Sequence, residues 1–257
     1  MARPACARVV VAATCVALLV LTGARHAGAQ SAPAPLPSYH VETFTPEAQR
    51  HFTAAQLALL EKLNRRDLVF LARVDSVIAP DDWTLSELAY SPLPHEWHWA
   101  ASQPQVVVVD QASQVFGAYE SGHLVRWGPV SSGRQETPTP AGVFHLTWRA
   151  RRTVSTDNKD WILNWYFNFV NSRGVSFHEF ELPGRPASHA CVRLLARDAQ
   201  WLFGWGREWV LSADRKSVVT EGTPVVILGA FDFAHAPPWL VVDWWHAPVA
   251  LPADPSK

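Results

Sequence analysis

The chain has 257 residues, with 22 basic against 23 acidic side chains and a formal charge of −1. No polybasic run breaks that balance, which argues against nucleic acid as a partner. The length suits one good domain plus an appendage. All 13 Trp lie beyond residue 29, a load that can build a core or line a sugar- or peptide-binding groove.

Arg3 and Arg8 form a positive n-region, Val9 to Leu21 is apolar apart from Thr14, and Ala27-Gly28-Ala29 supplies a small-x-small cleavage site. Residues 1–29 therefore read as a secretory signal peptide, too short to span a bilayer comfortably, so no stable membrane insertion is expected after cleavage. An uncleaved membrane anchor is the alternative reading. Cleavage removes Arg3, Arg8 and Arg25 but no acid, leaving 19 basic against 23 acidic residues, a balance of −4. It also removes Cys6 and Cys15, so Cys191 stays as the only thiol. Oxidising compartments usually use cysteines in pairs, and a lone one calls for an explanation.

Residues 30–38 are rich in Ala, Pro and Ser and read as a lead-in. Thr45-Pro46-Glu47 is a helix start, and Phe52, Ala55, Leu59 and Leu63 follow at helical spacing until Asn64 interrupts. Asp67 to Val74 makes a second short helical pattern. The stretch Leu60 to Pro80 resembles the later half of a LysM cell-wall-binding repeat; a plain helical hairpin accounts for the same pattern. Ser91-Pro92-Leu93-Pro94 is a linker signal. From Gln105 the texture becomes β. Val106 to Val109 suits a strand buried on both faces, and Val115 to Glu120 and Leu124 to Val130 complete a meander. Strands are expected at Val143 to Trp148, Gly174 to Phe180 and Thr223 to Leu228, an aromatic run at Trp161 to Val170, and a helix at Ala196 to Trp205. No internal repeat and no metal-site cysteine spacing appear.

Cys191 sits in Ser188-His189-Ala190-Cys191-Val192-Arg193, with His178 thirteen positions upstream. A thiol attacks as thiolate, and a free cysteine with a pKa of about 8.5 is mostly protonated at neutral pH. A neighbouring imidazole can take the proton, hold the thiolate as an ion pair and later return the proton to a leaving amine. His189 and Arg193 lie at i−2 and i+2 of Cys191, on one face of a strand. His178 meets the thiol if its strand is a neighbour. Arg193 can lower the thiol pKa or grip a carboxylate. Each histidine alone also reads as a satisfied, half-buried side chain, and the thiol as buried and inert. Zinc on His178, His189 and Cys191 lacks the usual paired spacing, so no metal is expected.

At these residues the chain resembles the L,D-transpeptidase catalytic domain (YkuD-type): a histidine, a glycine/proline loop, then Ser-His-Gly-Cys, an apolar residue and Arg or Asn. Here these are His178, Pro183-Gly184-Arg185-Pro186 and Ser188 to Arg193. The loop Thr137 to Gly142 before Val143-Phe144, and the closing Gly222-Thr223-Pro224-Val225-Val226, agree with that pattern. The family usually has glycine where Ala190 stands; with the rest of the motif intact, a negative φ is expected there. The loop between His178 and Ser188 is short, which would open the groove or alter its specificity.

The resemblance implies a mainly β fold with α (α+β), a sandwich of mixed sheets with one or two packed helices. Its domain would span 104–229, after a linker and small helical region at 30–100, with a Trp/Pro-rich tail at 230–257. It implies an exported cysteine acyltransferase of the periplasm or cell envelope, with peptidoglycan stem peptides as donor and acceptor and no cofactor. Cys191 would attack the third residue's carbonyl in a stem tetrapeptide, expel the terminal D-alanine, and pass the acyl group to an amine as a 3-to-3 cross-link. His178 would be the base and acid, its other nitrogen held by a backbone carbonyl. His189 would shape the thiolate's surroundings, and Arg193, Ser188 and Tyr166 would contact substrate. Rival readings are an L,D-carboxypeptidase using water, attachment to a protein amine, a wall-binding protein with a decayed site, and a thiol redox sensor.

Overall fold

The computed structural model describes residues 1–2, 37–247 and 249–257. The expected signal peptide, with Cys6 and Cys15, and most of the expected lead-in lie outside the described residues. The described residues from 37 on form one compact unit. Among the described residues, no helix is long and apolar enough to cross a membrane.

The unit opens with strand β1 (Tyr39–Thr43) and short helix α1 (Pro46–Gln49), capped by Thr45. Helix α2 (Ala54–Asn64) follows and α3 (Leu68–Leu71) is capped by Asp67. The one long helix expected after Thr45 is thus two. Thr53 and Gln56 form a reciprocal capping box that restarts the helix. Asn64, which interrupts the pattern, is buried and bonds through its side chain to Leu60 O and to both backbone groups of Ile78. Ile78 lies on β2 (Ser76–Pro80), which pairs antiparallel with β1. The region expected to be helical therefore also carries a two-stranded sheet.

The remaining strands are β3 (Val106–Asp110), β4 (Val115–Glu120), β5 (His123–Ser131), β6 (Gly142–His145), β7 (Arg149–Val154), β8 (Ile162–Val170), β9 (Val175–Glu179), β10 (Val192–Leu194), β11 (Val210–Leu211), β12 (Val218–Thr220) and β13 (Pro224–Leu228). Nine of them form one sheet in the order β6-β13-β3-β4-β5-β10-β9-β8-β7. The fold is mainly β with few helices, and the sheet is mixed: β13 runs parallel to β3 and β10 parallel to β9. The valines of β3 explain its central place. Val106 and Val108 enter one core, and Val107 and Val109 the other, so both faces are buried.

The sandwich expected from sequence arises by curling this single sheet. Val107, Val225 and Ile227 on one half share a core with Phe167, Phe177 and Val192 on the other. Phe144 of β6 meets Phe169 of β8 with ring centroids 5.8 Å apart. Helix α4 (Ala196–Trp205) plugs this core with Ala199 and Leu202. The tail packs back on the second core: Trp239 and Trp245 are buried, and the rings of Trp239, Trp244 and Trp245 surround the Arg65 guanidinium at 5.1–5.8 Å.

Candidate active site

Strand β10 is three residues long, and it places the site. It lies between β5 and β9, with Val192 opposite Phe177 and Arg193 opposite His178. Val192, Leu194 and Phe177 point into the core. By alternation, Cys191 and Arg193 share the opposite face with Ser176 and His178. Sequence spacing had placed His178 near the thiol only if their strands were neighbours, and they are.

Cys191 Sγ lies 3.5 Å from Ser176 Oγ and donates to Gly174 O at 3.8 Å. Among the described residues it has no hydrogen bond to His178, although the two side chains line one small cavity together with Trp161, Phe180 and Arg193. His178 is buried, and its Nδ1 is bonded to Glu179 O at 2.9 Å. A carbonyl accepts, so Nδ1 carries the proton and Nε2 keeps its lone pair.

Burial sets both protonation states. It pushes the Cys191 thiol up, against Ser176's hydrogen bonds and the Arg193 charge. It also brings His178 down to about 4, with Arg193 adding to that fall. Burial therefore favours a neutral thiol and a neutral imidazole. Desolvation disfavours both charged forms.

Ala190 corrects the sequence reading most directly. Its φ is +85°, in the left-handed region where a Cβ costs about 1–2 kcal/mol. The preceding loop holds it there. Thr139 Oγ1 donates to Ala190 O at 2.8 Å and accepts from Gly133 N at 2.8 Å. Thr137 Oγ1 reaches Ser188 O at 3.2 Å, and Arg134 N donates to the same oxygen at 2.9 Å. A Cβ at Gly133 would collide with the backbone of Thr137 and Pro138 and with the Thr139 nitrogen, so glycine is what lets this loop cross so closely.

His189 lies 3.5 Å from Asp157 and edge-on to Trp161, ring centroids 5.0 Å apart. Arg193 sits over the Phe180 ring at 4.4 Å and donates to Glu181 O at 3.4 Å, bracing the loop after β9. Ser188 is buried in the small cavity's wall, and its carbonyl anchors the Thr137 loop. Tyr166 donates to Gly174 O at 3.2 Å, the carbonyl that also faces the thiol, and accepts from Asn168 Nδ2 at 2.9 Å. Cys191, His189 and Tyr166 line a groove of about 800 Å³.

Three site residues escaped the sequence reading. Ser176 was findable, since it precedes His178 by two on the same strand. Asp157 and Asn168 gave no signal, because a long hairpin brings them in. Among the described residues, no three His, Cys, Asp or Glu side chains are grouped to hold a metal ion.

The family model described as the L,D-transpeptidase catalytic domain matches residues 104–227. No curated protein matches the chain. An L,D-transpeptidase from Xylanimonas cellulosilytica is similar at 23% identity, covering 69% of this chain and 81% of that one, with a TM-score of 0.46. One from Stackebrandtia nassauensis is 22% identical over 51% of this chain and 58% of that one, TM-score 0.41. Another, solved in complex with imipenem, is 23% identical over 49% and 59%, TM-score 0.40. The chain thus spans under two thirds of the latter two structures. The stretch from 104 to 227, just under half of the chain, matches the L,D-transpeptidase catalytic domain family, and the histidine and cysteine that carried the resemblance lie inside it.

Proposed function

We propose that the protein is an exported cysteine acyltransferase of the cell envelope, acting on peptidoglycan stem tetrapeptides. The observation that carries this reading is that Cys191 directly precedes β10, the strand paired with the one that carries His178, whose Nδ1 is held by Glu179 O. That arrangement leaves Nε2 as the site's base.

The Cys191 thiol would give its proton to His178 as sulfur attacks the carbonyl carbon. Both groups are neutral at rest, so transfer accompanies attack rather than preceding it. The C–S bond forms, the C–N bond to D-alanine breaks, and His178 protonates the leaving amine. An acceptor amine then attacks the thioester and its proton passes to His178; the C–S bond breaks, and the departing thiolate takes that proton back from His178. The Ala190–Cys191 peptide is planar, so with Ala190 O held by Thr139 the Cys191 N–H points the opposite way. That N–H is the candidate donor to the developing oxyanion. His189, with Asp157, would shape the thiol's mouth; Tyr166 would face the stem, and Arg193 and Ser188 would brace the walls.

The test is incubation of the protein with a disaccharide-tetrapeptide, read by mass spectrometry of protein and products. A Cys191 adduct with D-alanine release is expected, and the ratio of cross-linked dimer to tripeptide divides amine from water as acceptor. Imipenem, bound by a similar structure, is a second probe for a Cys191 adduct. The strained Ala190 favours one rival, a wall-binding protein without turnover. That rival predicts neither adduct, and pull-down on cell walls unchanged in Cys191→Ala.

A further inference from the structure

Two loops beside the thiol groove enclose a further cavity of about 370 Å³, lined by Arg134 and Arg185 and by Phe233 from the tail. Glu136 lines both this cavity and the groove, so the two are neighbours. Ala187, also on the wall, is four residues from Cys191, a chain distance of at most about 15 Å between Cα atoms.

The frame is fixed. Ser131 Oγ donates to Arg185 O at 2.8 Å and accepts from Ala187 N at 3.1 Å. Arg134 N donates to Ser188 O at 2.9 Å, which ties the other loop to the same turn. Phe233 is exposed and stands edge-on to Phe231, whose ring packs on buried Trp239 with centroids 6.0 Å apart. The charge, by contrast, is not balanced. Glu136 lies 3.5 Å from Arg134 and is mostly exposed, and Arg185 has no carboxylate partner among the described residues. Each arginine also has a guanidinium near it. Burial lowers Arg66 and Arg193; Arg185 adds to the first fall and Arg134 to the second, with Glu181 opposing the latter. The cavity thus presents two cations against one exposed anion.

We propose that this cavity binds the C-terminal carboxylate of the acceptor stem peptide and so favours an amine over water as acceptor. Two guanidiniums suit a carboxylate, each offering paired N–H donors. The Phe233 ring suits the methyl group of a terminal alanine. That carboxylate is free in the acceptor, which reacts through a side-chain amine on the preceding residue. Extended, such an amine stands roughly 10 Å from the carboxylate, a reach that fits the chain distance from Ala187 to Cys191. Glu136, between the two cavities, would draw the cationic amine towards the groove. The preference for a carboxylate rests on the cavity alone; its bearer being an acceptor stem rests on the function proposed above.

The experiment titrates N-acetyl-L-lysyl-D-alanine into the full chain carrying Cys191→Ala, which cannot turn it over, and follows the heat, with the C-terminal amide as comparison. Saturable binding is expected, about tenfold tighter for the carboxylate than for the amide, with that advantage lost in R134E/R185E. Both side chains reach solvent, and a parental urea midpoint checks that the variant is folded. With Cys191 restored and a disaccharide-tetrapeptide as donor, the ratio of cross-linked product to tripeptide should fall about tenfold in R134E/R185E. It should fall by as much in the parent when the dipeptide acceptor is amidated. Carboxylate and amide bound alike, or an unmoved ratio, overturns the proposal, as does a parent that releases D-alanine yet forms no cross-link. Binding that depends on the carboxylate and on both arginines, in a protein that releases no D-alanine, would refute the acyltransferase reading and leave the carboxylate site standing.

Discussion

The Thr139 hydroxyl donates to the carbonyl of Ala190 at 2.8 Å and so fixes a left-handed alanine one residue before the thiol. Replacing Ala190 by glycine removes the Cβ that this conformation opposes. Ala190→Gly should raise stability by about 1 kcal/mol, measurable as a higher midpoint in urea. It should also leave the rate of D-alanine release unchanged or higher.

Thr139→Val keeps the shape and deletes the hydroxyl. Ala190 O loses its donor and Gly133 N its acceptor, and each orphaned buried group costs about 1–3 kcal/mol. The variant should unfold at lower urea and lose acylation more steeply than stability, because the peptide next to Cys191 is no longer held.

The neutral resting pair gives a pH signature. Burial raises the thiol, so alkylation of Cys191 by iodoacetamide should keep accelerating above pH about 8.5, where a free cysteine levels off. His178 has its folded pKa lowered to about 4 from 6.5. Its neutral form is favoured in the folded state, so its contribution is full above pH 6.5 and is lost as pH falls towards 4. The loss is about 3 kcal/mol at most. His178→Gln should flatten urea midpoints across that window and abolish turnover; midpoints that still fall as in the parent would refute the assignment.

Asp198 on α4 is fully buried, and Arg126 pairs with it at 2.7 Å. Arg126→Met removes the carboxylate's salt-bridge partner and should cost about 3 kcal/mol. Gly128→Ala attacks the same pair sterically, since a Cβ there would stand 2.5 Å from Asp198 Oδ2. Both effects can be read from thermal or urea unfolding.

Trp239 has no exposed surface and lies against Arg65. Trp239→Ala should destabilise the fold by about 3–5 kcal/mol. A change near zero would mean that the tail is not docked in solution.

How much of this was readable follows from where the physics is local. Val106–Val109, Val115–Glu120 and Ser121-Gly122 declare strands and turn through apolar runs and tight-turn chemistry, and β3, β4 and β5 lie there. Arg149-Ala150-Arg151-Arg152 hides β7, because an edge strand needs no apolar alternation. Strand β10 is too short to show any period. Cys191, His178 and their neighbours could be picked out by residue type, but the sign of φ at Ala190 could not. It is imposed by Thr139, fifty-one positions away.

The central place of β3 has a consequence for synthesis. Its parallel partner β13 joins with Val225 opposite Val107, 118 residues later in the chain. Until residue 228 has emerged, the Val106–Val109 run has an open edge of unpaired backbone, the feature that recruits strands from other chains. A nascent chain shorter than that is therefore hazardous rather than half-built. A factor that holds it unfolded until the last strand arrives would do more for yield than any stabilising substitution in the finished sheet.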